Sequence, residues 1–194
     1  MARSGKGKGG RAQLRIIGGS WRGRKFDFTP VEGLRPTSDR IRETLFNWLT
    51  PAIHGARCAD LFAGSGALGM EALSRGAQHC DFVDTSNTAI RSISQHLDTL
   101  GAMNCAHCHT MQAEHFLKST HETYDIVFVD PPFDRQLAEP ACLLLAQQQL
   151  LRPQALVYVE TGSAHELGDM PHNWNLHREK VSGGVASRLY SNDA

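Results

Sequence analysis

Three glycines and a carboxylate in the first half of the chain have the types and spacing of a nucleoside-binding turn. Gly64, Gly66 and Gly69 follow a short apolar run, and Asp84 comes about 20 residues after the first glycine. Glycine lets a ligand approach the backbone closely, and an acid at the end of the next strand can accept hydrogen bonds from both ribose hydroxyls. The spacing predicts a nucleoside site without choosing the nucleoside, because it also satisfies the dinucleotide fingerprint.

The position of Asp60 helps to distinguish between the nucleosides that this turn could bind. It precedes Gly64 by four residues, at the predicted end of the first strand. Its carboxylate could meet the positively charged amino acid end of S-adenosylmethionine. A dinucleotide instead needs its pyrophosphate at the N-terminus of the following helix, where a nearby acid would be unhelpful. We therefore expect S-adenosylmethionine as the cofactor.

A second motif, Asp130-Pro131-Pro132-Phe133, could hold an amino-group acceptor. It ends the predicted fourth strand, and in a doubly wound sheet the ends of strands one and four flank the ligand crevice. An exocyclic amine on a base is a poor nucleophile, since its lone pair is delocalised into the ring. The Asp130 carboxylate and the Pro131 carbonyl could accept its two N–H groups and aim that lone pair at the methyl group. The prolines stiffen the turn, and Phe133 can stack on the base. Taken alone, the motif could also be an ordinary turn.

Alternating strands and helices must position these groups. The predicted strands span 57–62, 79–84, 104–109, 124–130 and 155–160. The predicted helices span 38–49, 67–75, 87–100, 112–119 and 134–151. Segments 173–180 and 185–190 flank a glycine pair and predict a closing antiparallel hairpin. We expect an α/β fold with a doubly wound, Rossmann-like sheet of seven strands that ends in this hairpin.

A basic segment precedes the α/β region. Residues 14–28 predict a small hairpin whose cationic side chains surround Trp21, a mixture suited to phosphate contact and base stacking, although a plain exposed hairpin would look the same. The cationic residues are Arg15, Arg22, Arg24 and Lys25, and Arg35, Arg40 and Arg42 extend the surface towards the body. The predicted organisation is a flexible basic tail (1–12), an RNA-contacting hairpin (13–36) and a methyltransferase domain (37–194).

The formal net charge of zero hides an asymmetry. Residues 1–42 carry a net charge of +8, and residues 43–194 carry −8. A basic arm on an acidic body points to a polyanionic partner, because each Lys or Arg that meets a phosphate releases counterions.

Five scattered cysteines predict reduced thiols rather than a disulfide framework. Cys105 and Cys108, with His107 and His109 nearby, suggest zinc, but no second pair stands at ligand spacing, so we expect a strand with buried thiols and no metal.

No apolar run approaches the roughly 20 residues that cross a bilayer, and the basic start lacks the apolar core of a secretory signal. These features predict a soluble, cytoplasmic chain, and we expect a monomer.

The motifs resemble those of S-adenosylmethionine-dependent methyltransferases with a Rossmann-like seven-stranded sheet, and the Asp-Pro-Pro-Phe variant resembles their amino-methylating branch. A closer resemblance covers nearly the whole chain and includes N-terminal segments that are not part of the general fold. There the chain is similar to the bacterial small-subunit ribosomal RNA guanine-N2 methyltransferases. The segments that carry this resemblance are 15–24, 34–48, 62–69, 128–133 and 176–180.

This resemblance implies transfer of one methyl group to the N2 amine of a guanine in ribosomal RNA, within an assembled or partly assembled small subunit. It assigns binding of the cofactor's methionine part to Asp60, Gly64 and Gly66, with Thr37 also near that end. It assigns binding of the ribose to Asp84 and of the adenine edge to Gln112 and Ala113. It assigns binding of the target guanine to residues 130–133. Two departures from the family's usual pattern, Ser86 in place of an acid and Gln112 in place of Asn or Asp, could loosen cofactor affinity.

Three other functions stay open at this stage. An adenine-N6 methyltransferase would use the same tetrapeptide, but a duplex target would demand a larger recognition region. A non-catalytic RNA-binding assembly factor would keep only the fold, which the intact acids at positions 60, 84 and 130 argue against. A nicotinamide dehydrogenase gains nothing from the Asp-Pro-Pro-Phe turn.

Overall fold

The computed structural model describes residues 12–28, 38–132, 136–165, 167–168 and 170–193. A two-stranded sheet comes first, and a seven-stranded sheet with helices on both faces follows. The strands are β1 (Ala12–Arg15), β2 (Lys25–Phe28), β3 (Arg57–Asp60), β4 (His79–Asp84), β5 (Ala106–Thr110), β6 (Tyr124–Val129), β7 (Leu151–Gly162), β8 (Trp174–Ser182) and β9 (Val185–Asn192). The α-helices are α1 (Asp39–Leu49), α2 (Ala67–Ser74), α3 (Asn87–Thr99), α4 (Ala113–Ser119) and α5 (Ala138–Gln147).

The order of the large sheet is β5-β4-β3-β6-β7-β9-β8. Strands β3 to β7 pair in parallel, whereas β9 pairs antiparallel with both β7 and β8. The predicted seven-stranded, doubly wound sheet with its closing hairpin is therefore confirmed. The chain leaves β3 towards β4 and later returns to place β6 on the other side of β3, so the switch point lies between β3 and β6, where such sheets bind ligands.

The helix α1 begins where its sequence predicts, and its buried stripe includes an arginine. The Ser38 hydroxyl caps it by accepting from the Ile41 N–H. Its buried side chains are Arg42, Leu45, Phe46 and Leu49. The prediction that Arg42 belongs to the basic surface is therefore wrong: Arg42 is 1% exposed. Its guanidinium donates to the Arg15 carbonyl at 2.8 Å and to the Asp39 carboxylate at 2.5 Å, and Nη1 lies 3.7 Å from Glu71 Oε2.

The N-terminal hairpin packs on the body. Its inward side chains Leu14, Ile16, Phe26 and Phe28 join the core cluster that contains α1. The chain at Gly18 and Gly19 approaches the end of α2 so closely that a Cβ on Gly19 would lie 1.8 Å from the Ser74 carbonyl oxygen. The Ser74 hydroxyl donates to the Gly18 carbonyl, and buried Glu71 accepts from the Ile17 N–H. The basic outer side of the hairpin is thus held in a fixed position on the body.

The predicted helix 134–151 extends too far at its end. The helix α5 stops at Gln147, and β7 already begins at Leu151, where it pairs with Tyr124. Gln149 makes the turn with a positive φ of 53°. Glycine usually marks such a position, so the sequence carries no stop signal there.

All five cysteines are free thiols, as predicted. Cys105 ends a short 3₁₀ turn and Cys108 lies on β5, so the predicted strand 104–109 begins two residues later than expected.

Among the described helices, none has both the length and the apolar character needed to cross a bilayer.

Candidate active site

The glycine loop, residues 61–66, connects β3 to α2 at the switch point. Its backbone extends the sheet, since Leu61 N–H donates to the Phe128 carbonyl and Ala63 N–H donates to that of Val83. Gly64 and Gly66 have positive φ values of 51° and 78°, and Gly66 caps α2. The predicted turn between the first strand and its helix is confirmed, and its conformation requires glycine.

Gly66 combines a left-handed conformation with a close contact. A Cβ at this position would lie 2.9 Å from Ile93 Cγ1 in the core side of α3. We expect Gly66→Ala to lower the free energy of unfolding by about 2–3 kcal/mol, because backbone strain and overpacking add. Denaturant unfolding measures the change. Gly55→Ala is the matched control, since Gly55 has φ 74° and a Cβ added there would meet nothing within 4 Å, so that it should lose only about 1 kcal/mol. Equal losses in the two variants would contradict the close contact.

The carboxylate of Asp84 ties the end of β4 to the glycine loop. Its Oδ2 accepts from the Gly64 N–H at 2.8 Å, and its Oδ1 accepts from the Ser86 N–H at 2.7 Å. Each carboxylate oxygen has two acceptor sites, and the side chain is partly exposed. Asp84 is therefore fixed in orientation and retains acceptor capacity for a pair of hydroxyl groups.

Asp60 lies beneath the same loop at the end of β3. It is 1% exposed, and its Oδ2 accepts from the Gly69 N–H at 3.0 Å. Burial raises the pKa of Asp60 to about 7, the Gly69 N–H lowers it, and the charge of Asp84 raises it again. A buried carboxyl of this kind would be stabilised in its charged form by a nearby cation. It fits the amino group of a bound amino acid moiety.

Asp130 and Pro131 follow β6, directly beside the end of β3. The pairing of Asp60 with Phe128 places them across the switch point from the glycine loop. Asp130 and Pro132 are partly exposed and Pro131 is buried. The structure thus brings the predicted acceptor motif and the predicted nucleoside site to the same edge of the sheet.

A buried polar cluster beside Asp130 did not figure in the sequence analysis. The Tyr158 hydroxyl lies 2.6 Å from Glu160 Oε2, to which it donates, and 3.1 Å from Ser187 Oγ. Burial, Glu160 and Asp130 all raise the pKa of Tyr158, so Asp130 lies within electrostatic reach of it. Burial raises the pKa of Glu160 and the Tyr158 hydroxyl lowers it, with a net upward shift. The alternation of Tyr158 and Glu160 in the apolar run of β7 was the available signal.

The residues predicted to contact the adenine edge follow the end of β5. Gln112 caps α4 and is exposed, and Ala113 is its first residue and is buried. The Met111 N–H donates to the Asp84 carbonyl, which holds this turn against β4. Ser86, where an acid was expected, caps α3 by accepting from the Ala89 N–H. The hydroxyl therefore has a structural role of its own.

The predicted RNA-contacting residues divide into two groups. Arg22, Arg24, Lys25 and Arg40 are exposed. Arg15 is 55% exposed but forms an ion pair with Asp39 at 2.9 Å. The predicted site residues Thr37, Arg35 and Phe133 lie outside the described residues.

The sheet is doubly wound, and the antiparallel strand β9 lies next to the last parallel strand, β7. Acids stand at three neighbouring strand ends. This combination defines the class of Rossmann-like methyltransferases. The family described as Conserved hypothetical protein 95 matches residues 14–191, and the chain belongs to it.

Individual relatives match over nearly their whole lengths. The Ribosomal RNA small subunit methyltransferase D of Escherichia coli strain K12 is 49% identical over 185 residues, which cover 95% of this chain and 93% of the relative. The protein of that name from Haemophilus influenzae is 46% identical and covers 94% and 95%, respectively. The solved structure of yhhF from Escherichia coli is 49% identical with a TM-score of 0.87, and covers 94% of this chain and 99% of that one.

Proposed function

We propose that this chain transfers a methyl group from S-adenosylmethionine to the exocyclic N2 amine of a guanine in small-subunit ribosomal RNA, within an assembled or partly assembled subunit. The observation that carries the proposal is the position of Asp130 and Pro131 beside the glycine loop at the switch point. The names of the relatives support ribosomal RNA as the substrate. The choice of guanine N2 rests on the resemblance of the N-terminal and acceptor segments.

The acceptor amine would be held by two oxygens. The Asp130 carboxylate and the Pro131 carbonyl each accept one of its N–H groups, which leaves the lone pair of the nitrogen directed at the methyl group. Positioning of this kind converts a weak nucleophile into a reactive one by orientation rather than by proton removal in the ground state. Asp130 is then available to stabilise the positive charge that develops on the nitrogen. Phe133 would stack on the base.

S-adenosylmethionine supplies a methyl group already activated on a sulfonium. The residues of this chain that would bind it lie at the ends of β3, β4 and β5. Asp60, from beneath the glycine loop, would face the amino acid end, with Gly64, Gly66 and Thr37 close to it. Asp84 would accept from the ribose hydroxyls, and Gln112 and Ala113 would border the adenine.

The exposed side of the N-terminal hairpin would bind the RNA backbone. Its hydrophobic side is fixed on the body by core packing, so Arg22, Arg24 and Lys25 point away from that core at a constant position. Arg15, Arg35 and Arg40 would extend this surface. In the proposed organisation the tail 1–12 precedes the RNA-contacting hairpin 13–36, and residues 37–194 form the catalytic domain.

Neutralising the hairpin should weaken RNA binding and flatten its salt dependence. We expect Arg22→Gln with Arg24→Gln to reduce the slope of log K against log salt by about 1–2, since each lost phosphate contact removes the release of roughly one counterion. A filter-binding titration with ribosomal RNA at several salt concentrations measures this slope. The double variant Lys118→Gln with Arg152→Gln loses the same charge on α4 and β7, and should leave the slope unchanged. Equal slopes for all three proteins would exclude the hairpin as the phosphate-binding surface.

The function is tested by identifying the methylated nucleoside. The protein is incubated with radiolabelled S-adenosylmethionine and small-subunit particles from cells that lack this gene, or with the RNA extracted from them, and the RNA is then digested. Label in N2-methylguanosine is the expected result. Label in N6-methyladenosine would show that the chain is an adenine methyltransferase, and no label in any RNA or DNA offered would favour a non-catalytic assembly factor.

A further inference from the structure

Three histidines and one aspartate meet on one face of the sheet, at the opposite end from the glycine loop. His79 and Asp81 lie two residues apart on β4, and His107 and His109 lie two residues apart on β5. The parallel register pairs Asp81 directly with His107. Because alternate residues of a strand share a face, all four side chains lie on the same side of these two strands. We call these four residues the histidine cluster.

The donor atoms of the cluster have the separations of metal ligands. His79 Nε2 lies 3.6 Å from Asp81 Oδ2, and His107 Nδ1 lies 3.6 Å from Asp81 Oδ1. The ligand atoms of His79, Asp81 and His107 all lie within 4.8 Å of one another. Two ligands of a tetrahedral zinc ion, each about 2.1 Å from the metal, are about 3.4 Å apart. The three donors therefore need only small rotamer adjustments to bind one ion.

His79 presents a buried nitrogen that lacks a hydrogen-bond partner. The residue is 9% exposed, and its Nε2 makes no hydrogen bond within the described part of the chain. A buried nitrogen without a hydrogen-bond partner normally lowers the stability of the folded state. A metal ion would satisfy this atom.

Asp81 is held in place by neighbours that would serve as outer-shell partners. His109 Nε2 lies 2.9 Å from Asp81 Oδ1, and the Tyr124 hydroxyl donates to Oδ2 at 3.1 Å. These two contacts fix the orientation of the carboxylate, as the outer partners of a metal ligand do.

The guanidinium of Arg57 lies close to this carboxylate. Arg57 Nη2 is 3.6 Å from Asp81 Oδ2, and it also lies 3.3 Å from Glu122 Oε2. Glu122 can keep the guanidinium paired when Asp81 shares its charge with a metal ion. The arginine weakens the site without blocking it.

We propose that His79, Asp81 and His107 form a binding site for a divalent transition metal ion, with zinc as the expected occupant and a fourth position open to water. Two imidazoles and one carboxylate suit zinc and its first-row neighbours rather than magnesium or calcium, which prefer oxygen ligands. Cys105 and Cys108, the pair that the sequence suggests for zinc, are not needed. His109 orients Asp81 from the outer shell.

The site is separate from the proposed methyl-transfer site. His79 begins β4 and Asp84 ends it, a separation of about 16 Å along the strand. The ion would join β4 to the edge strand β5. Asp84 ends β4, and Gln112 follows the end of β5 by two residues. Its expected consequence is stabilisation of this edge of the sheet, in proportion to the free zinc concentration.

The test is a zinc titration of the untagged full-length chain after removal of metals with a chelator. We expect one zinc ion per chain by calorimetry and a rise in Tm with added zinc. His107→Gln should weaken binding roughly 100-fold and abolish the rise in Tm. His107 has a 65% exposed side chain, so this change should leave the fold intact. Exposed His115→Gln on α4 is the matched control and should bind zinc normally.

A second variant separates the histidines from the cysteines. Cys105→Ser with Cys108→Ser should retain full zinc affinity, and the cobalt-substituted protein should lack thiolate-to-cobalt charge-transfer absorption. Any of three results would overturn the proposal: no stoichiometric zinc binding, binding unchanged by His107→Gln, or binding lost in the cysteine variant.

Discussion

Replacement of Asp130 by alanine should lower turnover by about 10²–10³-fold while leaving the dissociation constant for S-adenosylmethionine almost unchanged. In the proposed function the carboxylate would lie on the acceptor side of the switch point, whereas Asp60 and Asp84 would face the cofactor. Its hydrogen bond to the amine would strengthen as positive charge develops on nitrogen, so its removal costs transition-state stabilisation more than ground-state binding. Single-turnover kinetics on small-subunit particles, with calorimetry for the cofactor, separate the two quantities.

Asp84→Asn is the matched comparison for this variant. It changes the carboxylate that accepts from Gly64 and Ser86, so it should weaken cofactor binding and should affect the chemical step less once the cofactor is saturating. If Asp130→Ala lost cofactor affinity and turnover equally, Asp130 would be a cofactor ligand or a structural residue rather than the group that holds the amine.

The main features of the fold were predictable because they depend on local patterns. Short apolar runs that end in acids or glycines alternate with amphipathic segments. The structure confirms the helix starts predicted near residues 38 and 87, where Ser38 and Ser86 are the caps. The end of α5 was not predictable in the same way. Gln149 adopts a conformation that glycine usually takes, and tertiary pairing of Leu151 with Tyr124 recruits the following residues into β7.

Arg42 shows what local patterns do not reveal. Its position is helically spaced with Leu45, Phe46 and Leu49, so the buried stripe could have been read from the sequence, but an arginine in a buried stripe needs an anion. One of its two anions, Asp39, lies three residues earlier on the same helix, but the buried one, Glu71, lies 29 residues later on α2. The histidine cluster was missed for the same reason. The register between β4 and β5, which no sequence pattern specifies, places His107 beside Asp81.

The acids of the candidate site were identifiable because parallel strands end at a common edge. Asp60, Asp84 and Asp130 each end or follow a strand, and the order β4-β3-β6 brings the three ends together. The Tyr158–Glu160 pair was not identified, because the approach of Tyr158 to Asp130 depends on β7 lying next to β6. Burial, which sets the pKa of Asp60, likewise becomes visible only in the folded chain.

Asp60→Asn should make the protein more stable relative to the wild type as the pH rises, and should weaken its affinity for S-adenosylmethionine. The pKa of Asp60 is raised from 3.8 to about 7 in the folded state. The folded chain therefore keeps a proton that the unfolded chain loses, and the resulting stability is complete below pH 3.8 and is lost as pH rises to 7. The loss between pH 5 and pH 8 is about 3 kcal/mol. Asparagine does not titrate and can still accept from the Gly69 N–H.

Denaturant unfolding of both proteins at pH 5 and pH 8 tests the first half of this prediction. The difference in free energy of unfolding, variant minus wild type, should increase by about 3 kcal/mol between the two pH values. Taking this difference cancels the titration of the other groups. A difference that stays constant with pH would mean that Asp60 is already ionised in the folded protein at pH 5.

Cofactor binding tests the second half. The wild-type affinity for S-adenosylmethionine should rise as pH increases through 7, because only the ionised Asp60 attracts the cofactor's ammonium group. The Asp60→Asn variant should bind about tenfold more weakly at pH 8 and show a smaller dependence on pH, since a hydrogen bond to a charged partner contributes about 1.5–3 kcal/mol. The carboxyl that destabilises the fold at neutral pH would then be the one that binding requires. Equal affinities for wild type and variant at pH 8 would instead make Asp60 a support for the glycine loop alone.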